Sequence, residues 1–436
     1  MARLVVIGAG AMGLAAAYHG LKAGHTVELL EAAPEPGGMA AHFDFDGISI
    51  ERFYHFVCKA DQPTFDLLDE LGMGDQMRWR TTTMGFFSDG KLHEWGNPVA
   101  LLRYPGVGLL ARLRYGLLAF VSTRRDHWAA LENQSAKEWI TRWAGREAYD
   151  KLWRRLFELK FYEYADNVSA AWIWTRVRRI GRSRDSLFEE RLGYIEGGSQ
   201  ALVNRLMERI TALGGSVHLS TQALRVTSEG GRVTGVEAND GFHAADAVIS
   251  TVPTPHVAAL VPDLPPEWKE RYAAIRNIGV CCLLFKLRKS VSPHFWVNIS
   301  ASDVPVPGII EFSNLRQMPN GETIVFVPYY MPTTNEKFSW PDERLLDEAF
   351  LCIQKVNPAI SVDDILARKV ARLRYAQPIC EPGFAAKLPA IQTPIAGLQV
   401  ADTCFYYPED RGISESVRLA GEMVRHLSRE PVEPAR

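Results

Sequence analysis

Residues 1–31 read MARLVVIGAGAMGLAAAYHGLKAGHTVELLE. Leu4 to Ile7 is a short aliphatic run, the composition of a buried strand. Gly8-Ala9-Gly10-Ala11-Met12-Gly13 follows at once and fits G-x-G-x-x-G. In that pattern the first glycine turns the chain tightly. The second admits a pyrophosphate to the backbone, and the third lets the new helix pack on the strand. Ala15, Ala16 and Ala17 carry the helix on, and Gly24 stops it. The amides at its start favour anionic phosphate. Thr26 to Leu30 reads as a second strand, and Glu31 closes it. A carboxylate there accepts hydrogen bonds from ribose hydroxyls and repels a 2'-phosphate, so an NADP ligand is disfavoured. Strand, glycines, helix, strand and acid in this order predict a dinucleotide site.

Beyond Glu31 and Ala32 comes a second glycine loop, Pro36-Gly37-Gly38-Met39-Ala40. Adjacent glycines offer bare amides near a phosphate or flavin. Gly47-Ile48-Ser49-Ile50-Glu51-Arg52-Phe53-Tyr54-His55-Phe56 follows. Near the other end, Gly397 to Asp402 reads as a strand ending in an acid, and Arg411-Gly412-Ile413-Ser414 leads into a last helix. Gly412 to Ser414 supply a small cap and free amides there. Tyr194-Ile195-Glu196-Gly197-Gly198 precedes a helix over Ala201 to Leu213, and Ala247 to Pro253 forms another strand and turn.

With these segments the chain resembles the flavoprotein superfamily of flavin amine oxidases, protoporphyrinogen oxidases, phytoene-type desaturases and UDP-galactopyranose mutases. The pattern departs from the family in two places: Met39 stands where a basic residue is usual, and Ala401-Asp402 replaces Ala-Gly-Asp. The resemblance implies resident FAD on a Rossmann-type α/β domain assembled from residues 1–57, 190–255 and 370–436. It implies that Gly8, Gly10, Ala11, Met12, Gly13, Glu31, Ala32, Gly37, Gly38, Met39 and Ala40 line the cofactor site. Val226 would meet the adenine through its backbone, and Asp402, Gly412, Ile413 and Ser414 the ribityl–phosphate region. His55 falls in the family's stretch near the flavin ring, as a catalytic candidate or as a packed histidine.

Two inserts should choose the substrate. Residues 58–189 read as a helical cap. Thr64 to Gly72 is an amphipathic helix, and Thr83 to Trp95 a hairpin turning at Asp89-Gly90. The leucine-rich stretch from Pro98 to Phe120 carries Arg103, Arg112 and Arg114. Two readings compete for it: a helix lying on a membrane surface, or a cap helix with snorkelling arginines. An aromatic tract runs from Trp139 to Trp174, interrupted by Gly145, and Arg176, Arg178, Arg179, Arg182 and Arg184 follow. Those arginines suit either a diphosphate or solvent and Glu189-Glu190.

Residues 256–369 read as a sheet-containing substrate domain. Its strands are Val280 to Leu287, Phe295 to Ile299, Gly308 to Phe312 and Thr323 to Tyr330, with a helix over Asp342 to Val356. Phe312, Tyr329 and Tyr330 are candidate substrate contacts, and Lys286 a candidate flavin-proximal lysine. The fold class expected is therefore a discontinuous Rossmann-type domain with a mixed-sheet substrate domain and a helical cap.

Composition narrows the partners. The net charge of -2 argues against general affinity for nucleic acid. Six cysteines without a CxxC fit a reducing compartment. No signal-peptide pattern is present, so a cytoplasmic protein is expected, peripheral on the inner face of a membrane if the leucine-rich stretch docks there. No Ser–His–acid motif, HExxH or compact Cys/His cluster stands out, so no metal is expected. The leading activity is FAD-dependent removal of hydride from a C–C or C–N bond of an apolar or conjugated molecule, with the electron acceptor unknown. The alternatives are a mutase-like isomerase acting on a nucleotide sugar and a non-catalytic FAD-binding protein.

Overall fold

A computed structural model describes residues 1–318 and 321–427. Arg3–Ile7 is the centre of a five-stranded parallel sheet ordered Leu398–Val400, Ala247–Ser250, Arg3–Ile7, Thr26–Leu30, Ser216–His218. Leu4 to Ile7 are all buried because both faces of the sheet are covered. On one face lie the helices Ala11–Lys22, Ser199–Ala212 and Ile413–Leu427. On the other lies a three-stranded antiparallel sheet, Ala223–Glu229, Arg232–Ala238 and Gly241–Ala244, whose Val226, Val233 and Val236 pack under Val5, Ile7 and Val248. The Gly13 position explains how closely the first helix sits on its strand. A Cβ there would fall 1.8 Å from the Gly8 carbonyl oxygen.

The second sheet has seven strands, ordered Ile365–Pro378, Asn277–Leu287, Thr323–Met331, Gly308–Glu311, Trp296–Ile299, Met84–Ser88, Lys91–Trp95. Neighbours run antiparallel except Trp296–Ile299 and Met84–Ser88, which are parallel, so the sheet is mixed. Helix Asp342–Val356 covers one face through Leu345, Leu346, Ala349 and Ile353. Two divisions expected from sequence shift. The hairpin expected in the cap forms the edge of this sheet. The boundary at residue 370 falls inside the strand Ile365–Pro378, which pairs along Asn277–Leu287. Arg368 and Arg372 gave that strand a charged look. Each is paired with acids of the covering helix: Arg368 with Glu343 and Asp347, and Arg372 with Asp342.

The cap is helical: Leu109–Arg124, Ala136–Ala144, Arg146–Leu152, Arg154–Phe161 and Ala170–Arg182. Gly145, at φ +95°, breaks the aromatic tract between two of these helices. Ser135 and Glu138 close a capping box at the start of one. Phe157, Phe161 and Trp172 then stack edge to face, with centroids 6.2 and 5.6 Å apart. Trp143 lies apart from Trp139 and is exposed.

Helix Leu109–Arg124 buries Ala111, Leu118 and Ser122 yet exposes Leu109, Leu110, Leu113, Leu117, Phe120 and Val121. A surface helix ordinarily turns polar residues to solvent, so this outer face is unpartnered. Among the described residues, no helix is long and apolar enough to cross a membrane.

Glu311, on the second sheet, is buried and accepts from the amides of Val291 (3.0 Å) and Ser292 (2.7 Å). Burial outweighs those bonds and pushes its carboxyl up from 4.5 to about 7. The folded state therefore holds a proton that the unfolded chain releases, and stability falls as pH rises from about 4.5 through about 7. Ionising Glu311 costs the fold on the order of 3 kcal/mol by that shift. Glu311→Gln should flatten the decline between about pH 4.5 and 7 in chemical-denaturation midpoints. An unchanged slope would assign the decline to other groups.

Candidate cofactor and substrate cavity

The cavity begins where the two glycine loops meet. Gly8, at φ +99°, donates its amide to the Leu30 carbonyl at 2.8 Å, and the Gly37 amide donates to the Ala9 carbonyl at 2.7 Å. A Cβ on Gly38 would press within 3.2 Å of the Gly10 Cα, whereas one on Gly10 would meet no protein atom within 4 Å. The Gly10 backbone thus faces open space at the start of helix Ala11–Lys22, whose first amides have no partner within the helix. Glu31 accepts from the amides of Ala9 (2.7 Å) and Ala33 (2.9 Å). A carboxylate offers about four lone-pair sites, so Glu31 keeps capacity for ligand hydroxyls.

A continuous cavity of about 690 Å³ runs from here to the second sheet. Of the cofactor residues expected from sequence, Gly8, Gly10, Ala11, Met12, Glu31, Ala32, Gly37, Gly38, Met39, Ala40, Asp402, Gly412, Ile413 and Ser414 line it. Gly13 and Val226 do not. Gly13 is spent on the contact between helix and strand, and Val226 is buried in the core beneath the sheet. The strand bearing Val226 meets the cavity only at its beginning, through Thr221, Gln222, Ala223 and Leu224. Asp402 accepts from the Thr254 amide (2.7 Å) and the Cys404 amide (2.8 Å), tying together the turns after two parallel strands. Burial pushes its carboxyl up.

The far half of the cavity is aromatic and apolar. Strand alternation decides which residues reach it. Val280 and Cys282 on one strand stand beside Tyr330 and Pro328 on the next, and all four line the wall. Tyr329 points to the opposite face, packs in the core under helix Asp342–Val356 and lies 3.8 Å from the Cys352 sulfur. Phe312 is fully buried against Phe326. Lys286 lies farther along its strand, held by Asp46 (2.9 Å) and Glu322 (2.9 Å), away from the cavity. Tyr330 is therefore the one sequence-predicted substrate contact on the wall, and His55 joins it there. Burial lowers the His55 pKa, so the ring is neutral.

Several wall residues carried no strong sequence signal. Arg411 donates to the Ala376 carbonyl (2.6 Å), the Gln377 side chain (2.8 Å) and the Tyr330 hydroxyl (3.0 Å). The Tyr330 hydroxyl also lies 3.3 Å from that of Tyr54, whose pKa burial and Tyr330 push well up. Lys160 is buried behind this wall, with its ammonium nitrogen 4.7 Å from the Tyr330 ring centre. Burial, then Arg176 and Arg411, push its pKa well down. Its aromatic flanks in LFELKFYEY were the available hint.

The arginine cluster is mostly neutralised within the protein. Arg178 and Arg182 share Asp126, and Arg184 meets Glu190. Arg179 forks onto Asp61 at 2.6 and 3.0 Å, and Arg176 pairs with Asp410 at 2.9 Å. That leaves little for a diphosphate. All six cysteines are free and buried.

Among the described residues, four buried side-chain atoms on the cavity wall lack a hydrogen-bond partner: His55 Nδ1, Arg176 Nη1, Asp410 Oδ1 and Ser414 Oγ. Orphans of this kind are costly unless a ligand satisfies them. With Gly10 open and Glu31 at the strand tip, the donor set fits a dinucleotide such as FAD.

A family model described as flavin containing amine oxidoreductase matches residues 13–403. The chain is 24% identical over 443 residues to a 15-cis-phytoene desaturase of an Oncidium hybrid cultivar, covering 91% of this chain and 73% of that one. It is similar to the solved structure of an oxidoreductase from Methanosarcina mazei, with TM-score 0.74 and 20% identity over 97% of this chain and 100% of the other. A reduced UDP-galactopyranose mutase gives TM-score 0.76 at 17% identity, over 98% and 95%. At these identities the structural likenesses show the fold.

Gly10→Val should leave the fold intact, because a Cβ there meets no protein atom within 4 Å and the backbone is extended at φ -71°. It should lower bound flavin at least about tenfold, since the side chain occupies the space a pyrophosphate would take. Absorbance of the purified variant, beside its thermal midpoint, checks this. A fully coloured Gly10→Val protein would remove the glycine loop from the cofactor site.

Proposed function

Since the chain belongs to the flavin-containing amine oxidoreductase family and is an FAD-dependent oxidoreductase of small organic substrates, we propose that it dehydrogenates a C–C or C–N bond of an apolar or conjugated molecule. The supporting observation is the single cavity that joins the glycine loops to an aromatic wall. Gly10, Ala11 and Met12 would hold the pyrophosphate from one helix start, and Gly412, Ile413 and Ser414 from another. Glu31 would take the ribose hydroxyls. FAD, when bound, accepts the electron pair that leaves the substrate.

This chain's own residues do the positioning. Trp296, Tyr54 and Tyr330 shape the aromatic end of the chamber. Arg411 holds Tyr330 from the turn that precedes helix Ile413–Leu427 and so links the substrate wall to the cofactor helix. Neutral His55 offers one ring nitrogen as a hydrogen-bonding group toward the ligand. The ion pairs of Arg178, Arg179, Arg182 and Arg184 with acids of this chain favour this reading over nucleotide-sugar isomerisation.

The exposed apolar face of helix Leu109–Arg124 supports peripheral docking on an anionic bilayer. Between Pro98 and Arg125 the chain carries Arg103, Arg112, Arg114, Arg124 and Arg125 and no acidic residue. An apolar face within a purely basic segment matches the acyl boundary and headgroups of such a surface.

Two measurements test the proposal. Anaerobic mixing of the oxidised holoenzyme with conjugated or allylic hydrocarbons and apolar amines should bleach the flavin absorbance. Tyr330→Phe should slow bleaching by about tenfold or more while retaining flavin, since a bond from a charged donor is lost. Isomerisation of a nucleotide sugar by the reduced enzyme, with no bleaching by the panel, would overturn it. For docking, the protein should sediment with phosphatidylglycerol-containing vesicles. Leu113→Glu with Leu117→Glu should abolish this, and equal sedimentation of that double variant would refute the assigned face.

A further inference from the structure

Outside the cavity, three strands bring two imidazoles and a carboxylate together at the edge of the parallel sheet. Glu28 lies on Thr26–Leu30, His218 on the neighbouring Ser216–His218, and His243 on Gly241–Ala244 of the sheet beneath. His243 Nδ1 is 2.7 Å and His218 Nε2 3.7 Å from the same Glu28 oxygen, Oε2. One ligand atom from each residue lies within 4.8 Å of the others. The two rings meet edge to face with centroids 5.1 Å apart. His218 Nε2 is buried and has no hydrogen-bond partner.

Asp240 supplies the supporting layer. Its Oδ1 lies 3.0 Å from His243 Nε2, and its Oδ2 lies 3.9 Å from His218 Nδ1. Thr221 donates to Oδ2 at 3.2 Å and steadies the carboxylate. Asp240 thus stands behind both imidazoles, on the side away from Glu28. Metal-bound histidines ordinarily hand their second ring N–H to such a carboxylate, which fixes the tautomer and the ring plane.

We propose that Glu28, His218 and His243 form a binding site for a divalent transition cation of the zinc type, with Asp240 orienting both histidines. Bonds of about 2.0–2.1 Å in a tetrahedral zinc site place ligand atoms roughly 3.3 Å apart. The observed 2.7 and 3.7 Å bracket that spacing, so small side-chain rotations suffice. Two imidazoles and one carboxylate select zinc over magnesium or calcium, which prefer all-oxygen shells. Three protein ligands leave a fourth position to water.

The site also touches the cofactor end of the molecule. Thr221 donates its amide to the Glu31 carbonyl at 2.8 Å and lines the cavity. A cation would cross-link the edge of the parallel sheet to the sheet beneath and brace the turn carrying Thr221.

Isothermal titration of chelator-stripped, flavin-loaded full-length protein with Zn²⁺ tests this, with metal analysis after desalting. The expected result is one Zn²⁺ per chain and a raised thermal midpoint, neither given by Mg²⁺. His218→Gln, which spares both hydrogen bonds of His243, should weaken binding about 100-fold and Asp240→Asn about tenfold. Flavin content reports whether each variant is folded. Absence of saturable Zn²⁺ binding by the wild-type protein overturns the site. So does binding that folded His218→Gln and His243→Gln variants retain unchanged.

Discussion

The absence of a side chain at residue 13 is the constraint on which the cofactor half of the molecule rests. The helix after the first strand lies so close to Gly8 that any Cβ would enter the carbonyl oxygen. That approach aims the helix start and its unpaired amides at the cavity mouth. It also brings Gly10 against Gly38, so the second glycine loop docks on the first through the bond from Gly37 to Ala9. Glu31 then fastens the second strand to the first turn through the Ala9 amide. Each contact needs the one before it, and together they leave a groove with bare backbone on both sides.

The substrate half depends on a different constraint, in which arginine side chains bond across domain boundaries. Arg411 belongs to the C-terminal turn, yet it bonds to the Ile365–Pro378 strand and to Tyr330 of Thr323–Met331. Arg179 of the cap grips Asp61, which also accepts from the Cys58 amide. Removing Arg179 would leave the buried Asp61 carboxylate without its ion-pair partner, a loss of up to about 3–5 kcal/mol. These arginines therefore fix how cap, sheet and cofactor domain meet. In the sequence the cluster from Arg176 to Arg184 suited either a diphosphate or solvent and acids, and the structure pairs most of it with acids of this chain.

Sequence reasoning succeeded where backbone geometry dictates residue type. GAGAMG, Glu31 and GGMA could be read because turns, close approaches and strand tips demand those residues at those spacings. It failed where the outcome turns on register or on a partner remote in the chain. Tyr329 and Tyr330 look equally suited to a cavity wall, and only strand parity sends one into the core. Val226 sits a few residues past the point where its strand leaves the cavity. Lys286 and Lys160 are both buried lysines. The acids that hold Lys286 come from residues 46 and 322, and no local pattern reveals them. Helix Asp342–Val356 was legible from its period alone, whereas the strand it covers was masked by the arginines it neutralises.

The order of pieces in the parallel sheet bears on how the protein is made. Its strands come from residues 3–30, 216–250 and 398–400, and the last helix of the cofactor site begins at Ile413. The first glycine turn is made well before the Ala247–Ser250 strand that pairs beside it, and the edge strand Leu398–Val400 follows later still. Closing loops of that length before any contact rewards them is slow, and the waiting strand edges are prone to wrong pairing. The intervening cap and seven-stranded sheet have their own apolar clusters and can collapse while the first segment waits. The first glycine loop of the dinucleotide groove is thus synthesised well before the second helix start that completes the groove. A nascent chain halted before residue 398 lacks an edge strand of this sheet as well as the second helix start at the cavity.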